Sequence, residues 1–182
     1  DYAHDSGFYI GAWGSNVDFG DCCDENVEID VYTGFRGGDA VTWDVGLVYY
    51  TYPGADDIDF PEIYVGLGWE WLSGKVTYSN DFGNSDESAF YYEANASYEL
   101  PSNFGVNAHV GYSDGDAIDL AYEDSYMDWS VGVTYDWSNF TFGLKYADGS
   151  DLSLLDGTPD DVNSSEGVAI FSISTSFPWS KE

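Results

Sequence analysis

The sequence predicts an all-β protein, an antiparallel up-and-down transmembrane β-barrel. Three observations predict it: apolar and polar residues alternate along nearly the whole chain, short and long connections alternate between those segments, and aromatic residues gather at the segment ends. Composition agrees, since Gly (21), Tyr (16) and Trp (7) are abundant in the 182 residues while Met occurs once, so strand formers dominate. A hydrophobic content of 43% with 19% aromatic residues is too apolar for a disordered acidic tail.

Taken in order, residues before Asp5 read as the tail of a strand, followed by Phe8 to Phe19, whose phase is ambiguous. There Phe8 and Ile10 share one face while Trp13, Val17 and Phe19 share the other. From Val27 to Arg36, Val27, Ile29, Val31 and Phe35 oppose Glu28, Asp30, Tyr32, Gly34 and Arg36. Val41, Trp43, Val45, Leu47 and Tyr49 then oppose Thr42, Asp44, Gly46 and Tyr50. Over Phe60 to Leu72, Ile63, Val65, Leu67, Trp69 and Trp71 oppose Glu62, Tyr64, Gly66, Gly68 and Glu70. A shorter segment runs Lys75 to Phe82, and in Phe90 to Leu100 the polar face is Tyr91, Glu93, Asn95, Ser97 and Glu99. Val106, Ala108 and Val110 oppose Asn107 and His109, and Trp129 to Trp137 opposes Asp128 to Asp136 in the same way. Phe140, Phe142, Leu144 and Tyr146 oppose Thr141, Gly143 and Lys145, and Val168 to Phe177 closes the series. Successive strand side chains point to opposite faces, so each segment has a greasy side and a polar side.

Tight turns are expected at Asp5-Ser6-Gly7, Gly37-Gly38-Asp39, Ser73-Gly74, Pro101-Ser102-Asn103 and Ser138-Asn139. Longer acidic connections alternate with them, at 20–26, 53–59, 83–87, 114–125 and 148–167. In an up-and-down sheet this puts tight turns at one end and long loops at the other, as in outer-membrane barrels. A soluble β-sandwich also alternates, but its polar face would carry Lys, whereas here it carries Gly, Ser, Asn, Tyr and carboxylates. Trp43, Tyr49, Trp69, Trp71, Trp129, Tyr135, Trp137 and Tyr146 suit girdles at two membrane interfaces. No apolar run reaches the length of a membrane-spanning helix, which leaves strands as the spanning element.

About ten strands follow Phe8, and a bacterial barrel needs an even number with both chain ends on one side. The expected total is about 12, with a first strand or so missing ahead of Asp1; a ten-stranded barrel is the alternative. Asp1-Tyr2-Ala3-His4 lacks the character of a signal peptide, so the chain is mature or its beginning is absent. The barrel domain is placed at 1–177 and a C-terminal tail at 178–182. Cys22 and Cys23 are adjacent and fit no zinc spacing, which leaves a vicinal disulfide, an intermolecular bridge or free thiols open.

The runs Phe8-Tyr-Ile-Gly-Ala-Trp-Gly-Ser-Asn-Val-Asp-Phe19, Val27-Glu-Ile-Asp-Val-Tyr-Thr-Gly-Phe-Arg-Gly-Gly38 and Ala96-Ser-Tyr-Glu-Leu100 resemble the TorF family of proteobacterial porins. The resemblance covers nearly the whole chain, to about Phe177. It implies a signal peptide, an outer-membrane address, a channel and an N-terminal strand upstream of Asp1, and it supplies no catalytic residues. The chain departs from the pattern by continuing through Pro178-Trp179-Ser180-Lys181-Glu182 beyond its terminal aromatic.

For twelve strands about 4.8 Å apart and tilted about 40°, the backbone cylinder has a radius of about 12 Å, and inward side chains about 5 to 6 Å long leave a bore only a few ångströms in radius unless small residues widen it. The expected pore-lining residues are Glu28, Asp30, Arg36, Asp44, Glu62, Glu70, Glu93, Glu99, His109, Asp128, Asp136 and Lys145, with Lys75 on the same wall and His109 neutral. Excess carboxylate between low-dielectric walls concentrates cations, so the expected function is a cation-selective, porin-like channel for small solutes or ions. Some of these carboxylates would be salt-bridged to Arg36 or Lys145. The alternative is a non-conducting outer-membrane barrel whose acidic loops serve envelope structure, adhesion or divalent-cation binding.

With 34 Asp and Glu against 4 Lys and Arg, the net charge of −30 removes nucleic acid from the expected partners. Membrane lipid, lipopolysaccharide, small solutes and cations remain, and association into a homo-oligomer stays open. The loop carboxylates Asp114, Asp116, Asp119, Asp156, Asp160 and Asp161 are weak candidates for Ca²⁺ or Mg²⁺, though their spacing is not that of an EF-hand. No other cofactor is expected. Nor is an enzyme, because two histidines and no G-x-S-x-G elbow leave little material for a nucleophile and its base.

Overall fold

β-Branched and aromatic residues suit the pleated, half-covered surface of a sheet. They form one eleven-stranded antiparallel sheet in a computed structural model that describes residues 1–17, 27–54, 58–122, 124–150 and 167–176. The strands are β1 (Tyr2–Ala3), β2 (Phe8–Asn16), β3 (Val27–Gly38), β4 (Val41–Thr51), β5 (Phe60–Trp69), β6 (Leu72–Ser79), β7 (Ala89–Leu100), β8 (Phe104–Asp114), β9 (Tyr126–Trp137), β10 (Phe140–Gly149) and β11 (Val168–Thr175). They are bonded in chain order, which is the up-and-down arrangement. The ten segments read from Phe8 onward are β2 to β11, and β1 is the strand tail expected before Asp5.

The sheet curls. Side chains of β4 through β9, among them Tyr50, Glu62, Lys75, Glu93, Ser113 and Asp128, surround one cavity. Among the described residues no protein layer covers the outward face: Val31, Val45, Leu47, Ile63, Val65 and Val131 are all exposed. Buried hydrophobic residues among those described are few, namely Tyr9, Tyr52, Phe60, Ala89, Ala117 and Ile118, and none of them belongs to the apolar stripe. A sandwich would have hidden that stripe against a second sheet. Aromatic contacts rim both ends of it. Tyr78, Phe90, Tyr92 and Tyr112 form a chain of ring contacts at the long-loop end, with centroids 4.7, 5.8 and 6.4 Å apart. Phe104 with Tyr135 and Trp137 with Phe142 do the same near the tight turns.

Two expectations are corrected and one open phase is settled. The turn after β5 is Glu70-Trp71, not Ser73-Gly74, because Trp69 pairs with Leu72 while Ser73 and Gly74 pair with Gly68 and Leu67 inside the sheet. Glu70 sits in the left-handed region at φ 51, so it belongs to the turn and not to the inner wall. The phase of β2 is resolved by its partner: Tyr9, Gly11, Trp13 and Ser15 oppose Gly34, Tyr32, Asp30 and Glu28 on the inner face. Finally, the connection after β8 is not wholly loop. It holds a helix, α1 (Asp116–Tyr122), whose Ala117 and Ile118 are buried against Ala89, Phe82, Tyr122 and Tyr126. Cys22 and Cys23 lie outside the described residues.

Candidate functional site

Residues directly opposed on neighbouring strands share a face, so register converts the list of polar positions into rows around the inner wall. One unbroken row runs Arg36, Asp44, Gly66, Lys75, Glu93, Gly111, Asp128 from β3 to β9. The adjacent inward row, one pleat nearer the long loops, runs Tyr9, Gly34, Gly46, Tyr64, Thr77, Tyr91, Ser113, Tyr126. A belt of charge therefore lies beside a belt of tyrosines.

The two belts are bonded to each other. The Tyr9 hydroxyl donates to Asp44 Oδ1 at 2.6 Å and also meets the Tyr64 hydroxyl. Arg36 lies 5.3 Å from the Tyr9 ring centroid and Lys75 Nζ lies 5.5 Å from that of Tyr64, both within cation–π range. Lys75 Nζ is also 3.5 Å from Glu93 Oε1. Tyr91 donates to Asp128 Oδ2 at 3.0 Å. His109 Nε2 lies 2.9 Å from Asp128 Oδ1 and Nδ1 lies 2.7 Å from Asn95 Oδ1. Asn95 is oriented by its own bond, Nδ2 donating to Glu93 Oε1 at 3.3 Å. Both ring nitrogens of His109 are thus engaged, Nε2 by Asp128 and Tyr91 and Nδ1 by Asn95.

Glycine makes this packing possible. A Cβ on Gly34 or Gly46 would collide with the hydroxyl ends of Tyr9 and Tyr64, and one on Gly111 would collide with Tyr91. These glycines accommodate rings and do not widen the bore, as the small-residue argument had expected of them. One cavity of about 540 Å³ lies along β7 to β10, lined by Asn95, Ser97, Asn107, Ser130 and Lys145, and another of about 450 Å³ is lined by Gly66, Gly68 and Gly74 among others.

The remaining expected lining residues take distinct places. Glu62 accepts from the Tyr50 hydroxyl at 3.0 Å. Asp30 faces inward with a buried Oδ1 that has no hydrogen-bond partner among the described residues. Glu28 opposes Ser15 and Glu99 opposes Gly105. Asp136 accepts from Thr141 at 2.6 Å near the tight turns. Among the described residues the salt bridge of a lumen lysine is Lys75–Glu93, whereas Arg36 rests on Tyr9 and Lys145 opposes Gly132 and Ile170. Tyr32, Tyr50, Tyr64 and Tyr91 fall on the polar face by phase, whereas Tyr9 and Trp13 are placed there only by the pairing of β2 with β3, and nothing in single-strand spacing marks any of them as partners of the charges.

At the long-loop end, several carboxylates hold backbone. Asp59 Oδ1 accepts from the Tyr52 N–H at 2.7 Å, Asp81 from Asp86 at 2.8 Å and Asp148 from Gly149 at 2.9 Å. Burial, then the Glu28 carboxylate, holds the Tyr52 phenol above its usual range, and burial followed by Tyr126 does so for Tyr122. Asp116 and Asp119 lie on α1 and Asp114 ends β8. Among the described residues, no group of three or more His, Cys, Asp or Glu gathers as a metal site. Asp156, Asp160 and Asp161 lie outside the described residues.

An antiparallel up-and-down sheet with an exposed apolar outer face and a polar inner face has the fold of a porin-like β-barrel. A porin structure refined at 1.8 Å resolution matches with a TM-score of 0.52 at 17% identity, over 94% of this chain and 58% of the porin chain, a likeness of fold. The chain thus spans little more than half the length of that porin. It belongs to a bacterial family, described as "Bacterial protein of unknown function (Gcw_chp)", whose model matches residues 1–177. No curated protein matches the chain.

Proposed function

We propose that the protein is an outer-membrane channel, of the kind the TorF resemblance implies, which passes small solutes by diffusion and prefers cations. The observation that carries this reading is the charged inner row and its surroundings. Asp44, Glu93 and Asp128 stand on one ring with Arg36 and Lys75, and Glu28, Asp30, Glu62, Glu99 and Asp136 add carboxylates beyond it. Tyrosine hydroxyls satisfy several of these oxygens as neutral donors, so hydrogen bonding is met without cancelling charge. Carboxylate excess within low-dielectric walls raises local cation concentration. Lipid and lipopolysaccharide are the partners that the exposed apolar stripe and its aromatic rims suit, and divalent cations at the outer carboxylates would bridge to the latter. No catalytic role is assigned, since His109 is engaged by Asn95, Asp128 and Tyr91.

Reversal potentials across planar bilayers under a KCl gradient test the reading. The triple substitution Glu62→Gln, Glu93→Gln and Asp128→Asn should lower the cation-to-anion permeability ratio several-fold, whereas Glu70→Gln, at a turn, should leave it alone. An unchanged ratio in the triple variant removes the lumen carboxylates from selectivity. The roof that α1 and Phe82 place over part of the lumen favours a second reading, a barrel that inserts without conducting. Insertion with no current steps would establish that one.

A further inference from the structure

We propose that the cavity beneath α1 is a binding site for compact organic ammonium ions. It rests on the reading of the polar face as a water-filled lumen and adds to it a class of solute. The cavity has a volume of about 520 Å³ and lies between the inner wall and a roof made by Ile118 of α1 and by Phe82. That is room for a small organic ion with several waters, each occupying about 30 Å³.

Its chemistry is uneven in a way that selects a ligand. The roof is dry and apolar: Ala117 and Ile118 are each 3% exposed and pack with Phe82, Tyr122 and Tyr126. Phe82 is fixed from below by Phe60, at 4.9 Å between ring centroids, and Phe60 stacks on Tyr50 at 4.8 Å. The wall supplies Glu62, Glu93 and Asp128 together with the rings of Tyr50, Tyr91 and Tyr126. Glu93 is occupied by Lys75 and Asp128 by His109. Glu62 differs, because its hydrogen-bond partner is the neutral Tyr50 hydroxyl. Even with His109 charged, three carboxylates face two cations; Lys75 contacts Glu93 and also acts on Glu62, so the wall keeps one unbalanced negative charge, beside aromatic faces.

A ring face and a carboxylate together recognise an ammonium group. The wall already makes this pairing with its own ammonium, Lys75, set between Tyr64 and Glu93. A hydrated Ca²⁺ or Mg²⁺ fits less well, since it calls for several oxygen ligands and gains nothing from an apolar roof. A methylated ammonium is weakly hydrated, so its methyl groups meet the roof while its charge faces Glu62 and the rings. A neutral solute of the same shape would leave Glu62 unused.

Isothermal titration of the barrel in detergent micelles with tetramethylammonium chloride tests this, against NaCl and uncharged tert-butanol. Tetramethylammonium should bind about tenfold more tightly than Na⁺, and tert-butanol should give no saturable heat. Glu62→Gln should weaken tetramethylammonium about fivefold or more, with Phe82→Ala, in the short connection between β6 and β7, acting in the same direction and Glu70→Gln without effect. Equal binding of tetramethylammonium and tert-butanol, or wild-type affinity in Glu62→Gln, would overturn the proposal. KCl conductance of the same preparation separates this site from the channel: a barrel that conducts but binds no tetramethylammonium refutes the site alone. One that binds it without conducting supports the site and refutes the channel.

Discussion

The pair Tyr9 and Tyr64 shows how single residues organise the lumen. Their strands are separated by β3 and β4, and at the intervening positions stand Gly34 and Gly46, so two rings lean across bare backbone until their hydroxyls meet. Asp44, one pleat away, accepts from Tyr9. A methyl group at Gly46 would meet the Tyr64 hydroxyl end and then Tyr9, which can retreat only by breaking this network. Gly46→Ala should therefore cost about 1–3 kcal/mol, the usual penalty of overpacking, seen as a lower urea midpoint for unfolding. Gly66→Ala is the matched comparison. Its added Cβ would find nothing nearer than 3.7 Å, an ordinary contact, and the midpoint should hold.

At the scale of the element, each strand carries two environments one residue apart, and substitutions on the two faces should fail differently. Val65 in β5 is 53% exposed on the outer stripe. Val65→Lys should cost about 2–4 kcal/mol of stability in lipid, the penalty of a lysine near the bilayer midplane. Ser97→Lys in β7, on the opposite face beside the cavity along β7 to β10, should cost little stability while lowering cation preference. Urea titrations in lipid vesicles and reversal potentials distinguish these outcomes; comparable destabilisation by both would mean that the two faces are not lipid and water. The tight hairpins belong to this scale too. Glu70 and Ser138 adopt φ 51 and 56, values favoured by Gly or Asn, which is why composition alone misplaced the turn after β5.

For the whole molecule, the decisive property is that the apolar face of the described strands stands exposed. Trp43, Trp69, Trp129 and Trp137 are all exposed on the outer face at its two rims. In vesicles of brominated lipid their fluorescence should be strongly quenched; no quenching would remove the membrane from the account. Much of this architecture was legible in advance. The period of two placed Asp44, Glu62, Glu93 and Asp128 on one face and Val45, Val65 and Val131 on the other, because side-chain direction in a strand depends only on local backbone geometry. Trp13 was not placed, because Phe8 to Phe19 carries apolar residues in both phases and only pairing of Trp13 with Asp30 decides between them. Helix α1 is missing from the sequence reading for a related reason: its seven residues are too few to show a helical period, and what holds them is burial of Ala117 and Ile118 against Phe82 and Ala89.

The amino-acid sequence by itself determined the strands, their order, their two faces and the acidic character of the inner one, since alternation and charge are properties of neighbours along the chain. Only the tertiary structure decided which charge meets which tyrosine. Register between strands is a long-range quantity, set by hairpin geometry and sheet curvature, and it brings Tyr9 to Asp44, Lys75 to Glu93 and His109 to Asp128 from positions 35, 18 and 19 residues apart.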